Sequence, residues 1–452
     1  MRRSIRFSYI SFVCFLVFAV SVPCWGEETI KIGIIGPMTS DRGQNQWNGA
    51  QMAADHINER GGLKVGNRRM KIQLVKADSN EYVSLEDAKS AMRQLLLRDK
   101  VDFVTGAASS EAALAMQDIA MENKTIFIGA GAAHPALCQR VAENYDRYKY
   151  WFRGTPFNSA YLVKNLFAQV RSVSTDLKKK LDIDRVRIAI VAENAIWATP
   201  MVKVAVSYLP MMGMEVVGTW RPERNATDVR KELEAIKTVK CHMILTMMTG
   251  KVGIALATQA GEMKIPAVQV GINVIAANNS FWEETKGMAN YVMHQSTYCE
   301  DAEYNELTKP FFDEYKKRYN DIPNYTAGTY SIIKEVLGVA IEKAGSIDAD
   351  KVIKELENGS FKTAAGITIF EKDMDARPLH ELKYGPGYTT SLGIQWQNGK
   401  QVAVWPHFKW LSPYWEYSVE PPDKPNKMSY KGLKPYVISP LVLEAYKKRM
   451  AP

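Results

Sequence analysis

From Ile30 onward, short apolar runs alternate with segments of helical period, and the alternation runs twice. Ile30–Ile35 reads as a buried strand, and Trp47–Asn58 carries Ala50, Ala54 and Ile57 on one helical stripe. Met70–Lys76, Val101–Val104 and Thr125–Ile128 are strand-like, with helix-like Leu85–Leu97 and Glu111–Met121 between them. After Arg153 the series restarts. Helices Ser159–Val170, Thr199–Met212, Asp228–Lys237 and Val252–Gln259 alternate with strands Arg187–Val191, Glu215–Thr219, Met243–Leu245 and Ala267–Val270. Strands apolar on both faces and separated by helices require a parallel sheet covered on both sides. Its crossovers are right-handed. The expectation is an α/β chain with two doubly wound domains.

The ends set further bounds. Arg2, Arg3 and Arg6 precede an uncharged apolar run, Ile10 to Val22, and Cys24-Trp25-Gly26 stands before Glu27. That is the tripartite pattern of a cleavable secretory signal over residues 1–26; the run is short for a membrane span of about 20 residues. The alternatives are an N-terminal anchor and lipidation at Cys24, the latter opposed by Pro23 in the preceding position. The formal charge is +9, and loss of those three arginines leaves +6 on about 426 residues, a length for two domains. No basic stripe with interleaved aromatics is present, which speaks against nucleic acid. Lys178-Lys179-Lys180 reads as a solvated loop.

Cys138, Cys241 and Cys299 remain after processing, an odd number with no framework or zinc spacing. His56, His134, His242, His294, His380 and His407 are scattered, so no metal or cofactor is expected. Neither Gly33-Ile34-Ile35-Gly36 nor Gly129-Ala130-Gly131-Ala132-Ala133 fits the dinucleotide fingerprint.

Ligands of open parallel sheets sit beyond the carboxyl ends of the strands. Two loops there stand out. Thr105-Gly106-Ala107-Ala108-Ser109-Ser110 leads into a helix whose first N–H groups and partial positive charge suit a carboxylate. Plain N-capping by a serine accounts for the same residues. Gly129-Ala130-Gly131-Ala132-Ala133-His134-Pro135 offers small residues that let backbone approach a ligand, or that pack a turn tightly.

Ile30–Asn58, a strand ending at Gly36-Pro37, a polar loop and an amphipathic helix stopped by Gly61-Gly62, resembles the opening of the type I periplasmic solute-binding proteins. That branch includes the leucine/isoleucine/valine-binding proteins of ABC importers, and the resemblance runs from about Ile30 to Pro406. It implies two lobes hinged like a Venus flytrap and joined by three crossovers, near Phe152, Tyr291–Thr297 and Asp375–Tyr388. Lobe 1 is then 27–152 with 295–378 and lobe 2 is 153–294 with 379–407; 408–452 departs from the resemblance, as an extension packed on lobe 2 or, alternatively, touching a partner. It also implies a periplasmic protein of a Gram-negative cell that captures a small solute by hinge closure and delivers it to an inner-membrane ABC permease, acting as a monomer.

By the same resemblance, Ser109 and Ser110 match the serine-rich loop that holds a ligand carboxylate. Gly131–Pro135 matches the next loop, with Ala133 where threonine is usual, and Ala130, Gly131, Ala132 and Ala133 are expected to meet the ligand. Trp197 falls where a tyrosine closes over the ligand, and Asn273 falls near an acid that binds its ammonium. Arg153, in Phe152-Arg153-Gly154-Thr155-Pro156, is a hinge or interface residue. A buried ammonium without a counter-charge costs several kcal/mol. Asn273 and Ala133 therefore favour an aromatic or aliphatic organic acid over an amino acid, in a cleft enlarged by Trp47, Trp197, Met247 and Met248. Glu193, turned inward, would supply the missing acid and reverse that preference.

No triad, P-loop or paired-carboxylate motif points to an enzyme. A ligand sensor reporting to a membrane partner uses the same module and is the alternative reading. A repressor of related fold needs an N-terminal helix-turn-helix, and the export signal stands in its place.

Overall fold

The computed structural model describes residues 28–385, 388–406 and 433–450, with side chains to 447. The signal expected at 1–26 and the start of the extension, 408–432, lie outside the described residues.

The first sheet has six strands: β1 (Thr29–Gly36), β2 (Leu63–Val65), β3 (Arg68–Asp78), β4 (Phe103–Gly106), β5 (Ile126–Ala130) and β6 (Trp151–Thr155). Their order is β2-β3-β1-β4-β5-β6, parallel throughout except for the β2–β3 pair. In β1, Ile30, Ile32, Ile34 and Ile35 are all buried, as a strand covered on both faces requires. Gly106 ends β4 at φ +133°, and a Cβ there would meet the Ile35 carbonyl oxygen at 1.8 Å. Only glycine lets the chain pass that close to β1 and enter the Ala107–Ser109 loop.

The second sheet has seven strands. Five are parallel: β7 (Arg187–Ala192), β8 (Glu215–Trp220), β9 (Met243–Met248), β10 (Val268–Asn273) and β11 (Met293–Ser296). Two hairpins follow, β12 (Phe361–Thr363) with β13 (Gly366–Thr368), and β14 (Phe370–Lys372) with β15 (Pro378–Leu382). Then β16 (Leu392–Gln397) and β17 (Lys400–Trp405) return antiparallel beside β11, giving the order β17-β16-β11-β10-β9-β7-β8. Asn398-Gly399, both at positive φ, makes the tight turn between them.

Both sheets change direction of winding at one strand: β3 and β4 flank β1, and β8 and β9 flank β7. The crevices beside β1 and β7 are the topological switch points where such sheets bind ligands. Arg153 to Thr155 pair with β5, Met293 to His294 pair with β10, and β15 packs on β6 as far as Leu382. His380 stacks on Phe152 at 3.8 Å, and Glu381 pairs with Arg153 at 2.7 Å, so this strand is held to lobe 1.

The extension from residue 433 runs along lobe 2. Lys434 N–H donates to the Ala403 carbonyl of β17, covering the edge of the sheet. Gln395 exchanges two hydrogen bonds with Val437, and the Tyr446 hydroxyl donates to the Cys241 carbonyl at 3.3 Å.

His294 sits in β11, fully buried. Burial pushes its imidazole down from 6.5 to about 4, outweighing the acceptors Gln295 O and Gln401 Oε1. The unfolded chain binds this proton below pH 6.5, whereas the folded chain excludes it down to about pH 4. The associated stability is therefore whole above pH 6.5 and is lost as pH falls toward 4, at about 1.4 kcal/mol per pH unit. Urea denaturation of wild type and His294→Gln between pH 7.5 and 5 should give converging curves as pH falls. Parallel curves would remove His294 from the acid response.

Candidate functional site

The loops beyond the carboxyl ends of the two sheets face each other across a cleft of about 300 Å³, the low end of the size that accepts small-molecule ligands. Each wall is built by local chain chemistry around one buried carboxylate.

On lobe 1, Ser40 caps the Asp41–Glu59 helix that follows β1, accepting from Gly43 N–H, and this sets Arg42 in the first turn facing the cleft. Its guanidinium donates to the Thr249 carbonyl of lobe 2 at 3.1 Å and lies 4.7 Å from the centre of the Tyr82 ring. Burial opposes the Arg42 charge, but Tyr82, Tyr325 and Glu193 more than offset it and hold the group protonated. Arg224, in the loop after β8, lies over the same Tyr82 ring at 3.7 Å. The Tyr82 hydroxyl is buried and has no hydrogen-bond partner among the described residues. Burial pushes its pKa well above the ordinary phenol value.

Glu81, beside Tyr82 in the loop after β3, is buried. Its Oε1 accepts from the N–H groups of Ala108 at 2.6 Å and Ser109 at 2.5 Å, and its Oε2 accepts from Ser79 Oγ at 2.7 Å. Burial raises its pKa, against the opposing effect of those donors and of Arg42. The protein's own carboxylate thus occupies the amides ahead of the Ser110–Glu122 helix. Ser109 is the N-cap of that helix, accepting from Ala112 N–H, and Ser110 Oγ accepts from His134 N–H.

On lobe 2, Glu193 follows β7 directly and is fully buried. Its oxygens accept from Trp197 Nε1 at 2.8 Å, Thr249 Oγ1 at 2.6 Å, Thr249 N–H at 2.6 Å and Gly250 N–H at 3.1 Å. Four donors fill a carboxylate, so Glu193 clamps the loops after β7 and β9 together at the switch point. Phe157, Leu162, Ile272, Val274 and the Trp197 indole give the cleft its apolar surface. Gln295, Ser296 and Ser391 line it as well, with Ser391 Oγ donating to Gln295 Oε1 at 3.4 Å. Gln295 Nε2 and Ser296 Oγ are buried there without partners among the described residues.

Of the residues expected at a ligand, Ser109, Ser110, Gly131, Ala133 and Trp197 line this cleft. Trp47, Ala130, Ala132, Met247 and Asn273 do not. Trp47 lies under the Lys76 ammonium, 4.7 Å from its ring centre. Ala130 and Ala132 are buried, their carbonyls taken by Gln46 and Arg153. Met247 belongs to the lobe core, and Asn273 turns to the Gly253 carbonyl at 3.2 Å. The strand-end rule drew attention to the loops after β4 and β5; applied equally to β1 and β3 it points to Arg42, Glu81 and Tyr82. Nothing local marks Arg224, Thr249, Gln295, Ser296 or Ser391. Among the described residues, no group of three or more His, Cys, Asp or Glu is arranged to hold a metal ion.

The lobes touch across this cleft. Asn278 Nδ2 donates to Asp41 Oδ2 at 2.6 Å, and Ile196 N–H donates to Glu111 Oε1 at 3.4 Å.

Residues 29–383 match the family model described as periplasmic binding protein. The Leu/Ile/Val-binding protein homolog 7 of Brucella abortus (strain 2308) is 21% identical over 397 residues, covering 83% of this chain and 91% of that protein. The isoleucine complex of the branched-chain amino acid transporter substrate-binding protein LivJ from Streptococcus pneumoniae has a TM-score of 0.66 at 22% identity, over 83% of this chain and 98% of that one. A solute-binding protein of an ABC transporter from R. palustris, in complex with benzoate, has a TM-score of 0.64 at 16% identity, over 83% and 95%. Likeness at these identities is likeness of fold.

Proposed function

This chain belongs to the periplasmic binding protein family, and we propose that it captures a small organic acid outside the cytoplasm and delivers it to the permease of an ABC importer. One observation carries the reading: a cleft of about 300 Å³ lies at the switch points of both sheets and is lined by both lobes. A catalyst would need a reactive group free to act. Both buried carboxylates here are engaged with backbone or side-chain donors of the protein itself.

An acid is favoured over an amino acid because lobe 2 offers an ammonium little. Glu193 already accepts four hydrogen bonds, and Asn273 lies away from the cleft. The Gln295 amide nitrogen and Ser296 hydroxyl, unpartnered among the described residues, fit a ligand with a second acceptor. Binding of isoleucine by one structural neighbour and of benzoate by another agrees with a fold that serves both classes.

The mechanism is hinge closure around a bound solute. Micromolar affinity requires about 8 kcal/mol, whereas one helix terminus contributes ~0.3–1 kcal/mol. Most of the binding energy must come from contacts that need both lobes, so the ligand favours the closed form, which the permease then recognises.

A thermal-shift screen of the processed chain tests the ligand class. Benzoate-type and aliphatic acids are expected to stabilise it, by about 2.7 kcal/mol at a hundred times Kd. Leucine, valine and glutamate should shift it little. Stabilisation by amino acids alone would overturn the organic-acid reading and leave the family assignment intact.

A further inference from the structure

We propose that the anionic group of the ligand docks on the Arg42–Tyr82–Arg224 cluster, where it bridges an arginine of each lobe and so drives closure. The proposal rests on the organic-acid reading and says where the acid goes.

The helix start at Ser109-Ser110 is the obvious carboxylate site in the sequence, but Glu81 occupies it. Its Oε1 holds the Ala108 and Ser109 amides at 2.6 and 2.5 Å. A ligand carboxylate brought there finds those two amides already taken by Glu81.

The positive charge of the cleft lies elsewhere. Arg42 comes from the first helix of lobe 1, and Arg224 from the loop after β8 of lobe 2; both guanidiniums lie over Tyr82, at 4.7 and 3.7 Å from the ring centre. Among the described residues neither forms an ion pair, and the Arg224 guanidinium has no hydrogen-bond acceptor. Arg42 spends one nitrogen on the Thr249 carbonyl and meets Tyr325 through another contact, leaving further donors. Glu81 and Glu193 are the carboxylates that act on Arg42, and each is already held by N–H and O–H donors.

A second, independent observation points to a ligand. The Tyr82 hydroxyl, in the same cleft, is buried with no partner among the described residues, and a buried hydroxyl in a native protein is normally hydrogen-bonded. A carboxylate satisfies all three groups at once. It accepts from the planar fork of a guanidinium, for which it is the matching shape, and from the phenol. Because Tyr82 and Arg42 belong to lobe 1 and Arg224 to lobe 2, the anion adds a charge-assisted link across the cleft that the open form cannot make. A neutral solute of the same shape fills the apolar surface without that link.

The test uses titration calorimetry on the processed chain with matched probes, benzoate and hexanoate against benzamide and hexanamide. Wild type should bind an acid at least tenfold more tightly than its amide. Arg224→Gln should weaken the acid about thirtyfold or more and leave the amide unchanged; Tyr82→Phe should weaken the acid severalfold. Small-angle scattering should record compaction with the acid in wild type and not in Arg224→Gln. An acid that binds Arg224→Gln and Arg42→Lys as well as it binds wild type overturns this site while the organic-acid reading stands. So does tighter acid binding in Glu81→Gln with no effect of Arg224→Gln, which returns the carboxylate to the helix start. Wild type that binds none of the acids overturns both the site and the reading it rests on.

Discussion

Replacing Arg153 by methionine is expected to destabilise the protein by about 3–5 kcal/mol, the usual cost of breaking a buried ion pair from one side. Arg153 is fully buried in β6. Its Nε reaches Glu381 at 2.7 and 2.8 Å, and its other nitrogens donate to the Ala132 and His134 carbonyls. Methionine fills much of the volume and supplies none of the charge. Glu381 is then left buried with only the Leu382 N–H and the Cys138 thiol as donors, and two carbonyls lose their partner. Pairing the change with Glu381→Leu removes the stranded charge and should recover most of the loss, because well-packed apolar replacements of both partners are often neutral. Urea unfolding of the two single variants and the double variant measures this directly. A single variant within about 1 kcal/mol of wild type would mean that Glu381 finds solvent or another donor, and that the pair does not tie β15 to lobe 1.

The second large effect is on binding. Glu193→Ala is expected to weaken ligand affinity by about a hundredfold, near 2.7 kcal/mol, with a smaller loss of stability. The carboxylate holds the Trp197 indole and both Thr249 donors, and it caps Gly250 N–H. Alanine leaves two backbone amides unsatisfied, each costing about 1–3 kcal/mol if they stay buried, so the loop after β9 relaxes instead. That loop carries the Thr249 carbonyl to which Arg42 of lobe 1 donates. The indole is freed and the contact between lobes is weakened by one substitution. Glu193→Gln keeps the shape but presents a donor where four donors converge, and should fall between wild type and alanine. Calorimetry with the acid chosen by the thermal-shift screen decides, and an alanine variant within threefold of wild type would show that the clamp is dispensable.

The wall of the cleft that carries Ser109, Ser110, Gly131 and Ala133 was legible because each loop follows directly on a strand whose apolar run is visible in the chain. Trp197, five residues beyond β7, was named only through the family resemblance. Met247 and Asn273 were misplaced by orientation. Successive residues of a strand face opposite ways, and a position near the strand end does not say which side it takes. Glu193 was read as a carboxylate free to turn toward a ligand, yet its partners are the loops of its own lobe.

The alternation of apolar strands with amphipathic helices determined, from the chain alone, two doubly wound sheets and the ends at which a ligand sits, because burial on both faces is a property of neighbouring residues. Tertiary structure alone decided what those ends offer. Glu81 reaches across 27 residues to the amides ahead of the Ser110 helix, and Arg42 reaches across 207 to Thr249. Such pairings depend on which loops the sheet order and the hinge bring face to face, and no local pattern of side chains encodes that distance.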